Sequence, residues 1–69
     1  MIYIYLCPIP NEKHFTVPLN KIKVSGPLKS QETLFAYDGR DTIAWLYVDE
    51  INDTSVNFTL LDFSFDGET

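Results

Sequence analysis

Thr33-Leu34-Phe35-Ala36-Tyr37-Asp38-Gly39-Arg40-Asp41-Thr42-Ile43-Ala44-Trp45-Leu46-Tyr47-Val48 is the stretch whose reading decides the fold. Two runs of β-branched and aromatic residues, which suit a pleated and half-buried surface, flank an Asp38-Gly39 pair. Asp-Gly between apolar runs signals a hairpin, because a tight two-residue turn needs positive φ at its centre. The competing reading makes residues 30–38 a short helix, capped by Ser30 and closed by Gly39 in the left-handed region. The β-formers of Thr42 to Val48 favour the hairpin. A two-residue turn pairs Tyr37 with Arg40 and Leu34 with Ile43. It gathers Leu34, Ala36, Ile43, Trp45 and Tyr47 on one face.

Working outward, Asn52-Asp53 suits a second tight turn. It sets Ile51 against Thr54, Tyr47 against Phe58 and Trp45 against Leu60. The alternation then changes phase at Leu60-Leu61, as at a β-bulge, and Leu61, Phe63 and Phe65 alternate with Asp62, Ser64 and Asp66. Gly67-Glu68-Thr69 reads as a short frayed tail. Upstream, Ile2 to Leu6 is apolar on both faces and reads as an internal strand or one covered on both sides. Pro8 and Pro10 end it. Phe15 to Leu19 alternates, but Pro18 confines it to an edge or a strand end. Lys21 to Val24 alternates with outward lysines, which also suits an edge. The expectation is an all-β domain over residues 1–69, a small antiparallel barrel or two-layer sandwich of five to six short strands. A short helix near residues 30–38 is its one variant.

Composition narrows the function. The chain has 69 residues, 45% of them hydrophobic, including five Phe, four Tyr and one Trp. Such a chain has the apolar mass to fold but little to spare for lining a catalytic cleft. The formal net charge is −5, which disfavours nucleic acid as a partner, because phosphate affinity comes from Lys and Arg. The charge is unevenly spread. Residues 1–34 carry four Lys against two Glu, +2, and residues 35–69 carry one Arg against eight Asp and Glu, −7. The lone Cys7 excludes an internal disulfide, and the start lacks the basic region and cleavage site of a leader. A reducing, cytoplasmic setting without membrane contact is therefore expected.

No stretch carries a family motif, and the chemistry-bearing side chains are sparse. Cys7 and His14 are the only thiol and imidazole, without an oxyanion-stabilising motif around them. Two ligands are too few for structural zinc. The Asp38-Gly39-Arg40-Asp41 turn lacks the regular oxygen spacing of a calcium loop. Neither a metal, a cofactor nor an enzymatic activity is expected. Tyr3, Tyr5, Phe35 and Tyr37 on strands form a candidate stacking platform for single-stranded nucleic acid, as on small oligonucleotide-binding barrels, but basic neighbours are few.

Aromatics on both faces of the central hairpin exceed what one core side of a sheet uses. Trp45 and Tyr47, beside Asp38, Asp41, Asp49, Glu50 and Asp53, read as an apolar-centred, charge-rimmed protein-binding face. The function expected is a non-enzymatic interaction module. It would be a small acidic regulator or inhibitor, of the compact kind that bacteria and their viruses encode, occluding a basic surface of a larger protein, including one that itself binds nucleic acid. The alternative is an assembly subunit that homo-oligomerises through strand edges and its charge-complementary halves.

Overall fold

The longest ribbon grows from the two runs richest in β-formers. In the computed structural model, which describes residues 2–65 and side chains through 64, these are β5 (Thr42–Ile51) and β6 (Ser55–Phe65). The other strands are β1 (Tyr3–Tyr5), β2 (His14–Pro18), β3 (Lys23–Val24) and β4 (Thr33–Tyr37). Asp66 and the Gly67-Glu68-Thr69 tail lie outside the described residues. The strands form one curled sheet, a half-barrel, in the order β2-β6-β5-β4-β1-β3. The all-β expectation holds, with strand rather than helix at Thr33–Tyr37. A 3₁₀ turn at Leu19–Lys21 takes the start of the expected Lys21–Val24 strand.

One pair departs from the antiparallel pattern. β1 lies parallel to β4, with Tyr3, Ile4 and Tyr5 opposite Phe35, Ala36 and Tyr37. A parallel pair needs a long crossover, and residues 6–32 supply it, contributing β2 to one edge of the sheet and β3 to the other. Pro18 and Lys23 thus both sit on edge strands, as expected.

Both hairpins differ in register from the sequence expectation. Tyr37 pairs with Ile43, not Arg40, and Leu34 with Leu46, not Ile43. The cause is the Asp38 side chain, whose Oδ1 accepts the Arg40 N–H at 2.8 Å and the Thr42 N–H at 3.2 Å. These bonds stabilise a wider loop than the two-residue turn. Within it Gly39 has φ +83°, and a Cβ there would stand 3.0 Å from Cε1 of Tyr5. The shift in register is odd, so it exchanges faces. Ile43 and Trp45 side with Tyr37 and Phe35, not with Leu34 and Ala36.

In the second hairpin the Asn52 N–H donates to the Ser55 carbonyl at 2.8 Å, and Ile51 pairs with Val56 rather than Thr54. An unforeseen bulge at Asp49 shifts the ladder, setting Tyr47 against Thr59 instead of Phe58. The expected bulge at Leu60-Leu61 is present, so that Leu46 faces Leu60 while Trp45 faces Asp62, not Leu60. Two bulges in one ribbon bend it and increase its twist, which produces the curl.

The core fills the inner side. Ile4, Leu34, Ala36, Ala44, Leu46, Val48, Val56 and Phe58 are essentially inaccessible to solvent. Ile9, Ile22 and Leu28 from the connections close over them. Phe15 lies 5.5 Å from Phe58, ring centre to ring centre. Phe58→Ala should therefore lower unfolding free energy by about 3–5 kcal/mol. Ile43→Ala, on the outer side and 38% exposed, should change it by less than about 1 kcal/mol. Urea denaturation followed by Trp45 fluorescence measures both, and comparable losses would contradict this assignment of faces.

Candidate binding face

Directly opposed residues of adjacent strands project to the same side of a sheet. The outer side therefore carries Tyr3 and Tyr5 from β1, Phe35 and Tyr37 from β4, and Ile43, Trp45 and Tyr47 from β5. Five of these rings make a continuous array. Tyr37 is 5.6 Å from Tyr5, 5.8 Å from Tyr3 and 6.4 Å from Phe35, and Phe35 is 5.4 Å from Trp45. The Tyr5–Tyr37 and Phe35–Trp45 contacts are edge-to-face, the geometry that aromatic quadrupoles prefer. The rings of Tyr3, Tyr5, Phe35, Tyr37 and Trp45 shield one another; Tyr5, Phe35, Tyr37, Trp45 and Tyr47 are half-buried, while Tyr3 remains 47% exposed.

The array gives way to polar groups towards β2. Thr59, opposite Tyr47, donates from Oγ1 to the Asp49 carboxylate at 2.6 Å. Its single hydrogen is thereby used, so the 3.1 Å contact with His14 Nδ1 requires the imidazole to donate. Thr16 donates to Asn57 Oδ1 at 2.7 Å. His14, Thr16, Asp49, Glu50 and Asn57 line an open groove at this end. A second groove, at the tyrosine end, is lined by Tyr3, Tyr5, Tyr37, Lys23 and Ser25.

Of the residues expected at the site, Trp45 and Tyr47 lie on this face and Asp49 and Glu50 border it. Asp38 and Asp41 occupy the β4–β5 loop, and Asp53 the β5–β6 turn, at opposite ends of the ten-residue β5. The acids therefore do not form a ring, because a ten-residue strand holds its ends roughly 30 Å apart. Tyr3, Phe35, His14 and Thr59 were not among the expected partner-binding residues, whereas Asp49, which Thr59 bonds, was. The alternation of Asn57 and Thr59 with Phe58 was the available signal for the polar end. Tyr3, Tyr5, Phe35 and Tyr37, expected as a stacking platform, do lie side by side. Lys23 is on the same side, opposite Tyr5, while Asp62 stands beside Trp45. Cys7 is exposed and just beyond β1, so three strands separate it from His14 on β2.

No group of His, Cys, Asp and Glu suited to a metal ion occurs among the described residues. No described helix is long and apolar enough to cross a membrane. Compared with known protein families, curated proteins and solved structures, the chain matches none.

Among the described residues, two titrating groups are perturbed. The Tyr5 hydroxyl is held above its ordinary range by the charge of Cys7 and its hydrogen bond, then by burial and Asp38. The Asp38 carboxyl is lowered, chiefly by the Arg40 backbone bond, with burial opposing and Thr42 assisting. A carboxyl lowered on folding stabilises the native state above its unfolded pKa, and that contribution disappears as pH falls through the folded value. The urea midpoint should accordingly fall between about pH 5 and pH 2, and fall less steeply in Asp38→Asn, whose amide oxygen can still accept the loop bonds. Identical slopes would remove Asp38 from the acid response.

Proposed function

We propose that this chain is a non-enzymatic protein-interaction module that docks through the outer side of its sheet onto a basic surface of a larger protein. The supporting observation is the contiguous array of Tyr5, Tyr37, Tyr3, Phe35 and Trp45 on the side away from the core. Aromatic groups that are already packed together lose little side-chain freedom on docking and supply most of the affinity of an interface. Asp49, Glu50 and Asp62 border the array, and acids in that position orient the encounter and raise its rate. Asp38, Asp41 and Asp53 extend the negative field towards both ends of β5.

The module acts by steric occlusion, as a regulator or inhibitor, in a reducing cytoplasm of bacterial or viral origin. Where the partner binds nucleic acid, the acids stand in for phosphates. A nucleic-acid platform is the weaker use of the same rings. Lys23 is the one cation shared with them among the described residues, against Asp49, Glu50 and Asp62, and phosphate binding needs the opposite balance.

Affinity capture from the source cells tests the proposal with three folded variants, each checked by circular dichroism. The wild type should retain one larger basic protein in stoichiometric amount. Trp45→Ala and Tyr3→Ser should each lower its affinity by about tenfold or more. Asp49→Asn with Glu50→Gln should slow association and flatten its salt dependence while leaving dissociation nearly unchanged. Retention that ignores both aromatic substitutions would refute the docking face.

A further inference from the structure

β6 outruns its neighbour. β2 pairs with Ser55 to Thr59 only, and the last bond on that side runs from the Leu60 N–H to the Lys13 carbonyl at 2.7 Å. From Leu61 to Phe65, β6 pairs with β5 on one side, beyond the Leu61 bulge, and among the described residues no strand lies against the other. Exposed edges attract further strands unless charge, proline, a bulge or brevity blunts them. The β3 edge is two residues long and carries Lys23, and the β2 edge ends at Pro18. Leu61 to Phe65 has neither lysine nor proline, only the Leu61 bulge and the single charge of Asp62 guard it, and Leu61 is 50% exposed.

We propose that this edge is an interface for a second copy of the chain, pairing β6 with β6 antiparallel about a two-fold axis at Phe63. A two-fold contact must be self-complementary, residue i meeting j and j meeting i. Keeping the two inner faces on one side restricts the centre to a residue rather than a gap between residues, because side chains alternate. Centring on Asp62 opposes two carboxylates directly, which is destabilising. Centring on Phe63, the midpoint of the free segment, sets Asp62 against Ser64 of the second copy. It also sets Phe63 against its equivalent on the core side, where Phe63 already packs beside Ala44. The product is a single sheet made of two six-stranded halves, with both aromatic faces left open on the same side. The contact is small, so the dimer is a weak one.

Sedimentation equilibrium on the purified chain between about 10 μM and 1 mM tests this. A reversible monomer–dimer equilibrium is expected. Leu61→Lys and Ser64→Pro should each weaken it at least tenfold, whereas Thr16→Lys on the β2 edge should leave it within about twofold. Asp62→Ala should tighten it, since it removes the charges nearest the axis and the carboxylate that accepts the Phe63 N–H at 2.9 Å. If Ser64→Pro fails to fold, the exposed Leu61→Lys site carries the test. A monomer at the highest concentration overturns the proposal. So does a dimer lost on Trp45→Ala but not on Leu61→Lys, which would move self-association to the aromatic face.

Discussion

The register between β4 and β5 is the constraint on which the rest of the molecule depends. Leu34 opposite Leu46 and Ala36 opposite Ala44 commit both strands to one buried side. The same rows continue outward, from Ala36 to Ile4 and from Ala44 to Phe63. Small residues thus occupy the middle of a row whose flanks are large, and the inside of a curled sheet has least room at its middle. Leu46 carries its row on to Leu60. Slipping this register by one residue would turn every row over and put the aromatic side chains against the connections that now cover the core.

The aromatic outer face follows from that commitment. Once Leu34, Ala36, Ala44 and Leu46 point inward, Phe35, Tyr37, Ile43, Trp45 and Tyr47 have no choice but the other side. The rings of Tyr5, Tyr37, Phe35 and Trp45 limit their contact with water by packing on one another. The arrangement is a compromise between solubility and a preformed surface, and it ends abruptly where Asp49 bulges and β6 turns polar at Asn57 and Thr59. Chemistry on this face is thus graded along the sheet, from tyrosines and Lys23 near β3 to a hydrogen-bonded carboxylate, hydroxyl and imidazole near β2.

Strand identity was largely legible in the sequence, because alternation and β-branching act within a few residues. So were the edge position of the Pro18 strand and the bulge at Leu60-Leu61, each marked by its own residues. Parity was not legible. It depends on the loop that the Asp38 carboxylate stabilises and on the Asp49 bulge, and neither leaves a compositional mark distinct from an ordinary turn or strand end. The surplus of aromatics on the central hairpin was correctly grouped by amount and wrongly divided by face. Trp45 and Tyr47 fell on the face opposite Leu34, together with Phe35 and Tyr37. The parallel β1–β4 pair is a contact across residues 6–32, beyond the reach of any local pattern.

The strand order also bears on how the chain holds together as a unit. The N-terminal half supplies both edges of the sheet, and the acidic C-terminal half lies between them as β5 and β6. The +2 and −7 segments of the sequence are therefore interleaved in space rather than set at opposite poles. A chain severed in the Gly39 loop would hold β4, β1 and β3 with an unpaired β2 in one fragment and a lone two-stranded ribbon in the other, and such a ribbon is marginal on its own. Every ladder joins strands that the two pieces still hold between them. A cut there would divide the sheet into two pieces that meet along β4 and β5 and along β2 and β6, leaving each strand of its outer face whole.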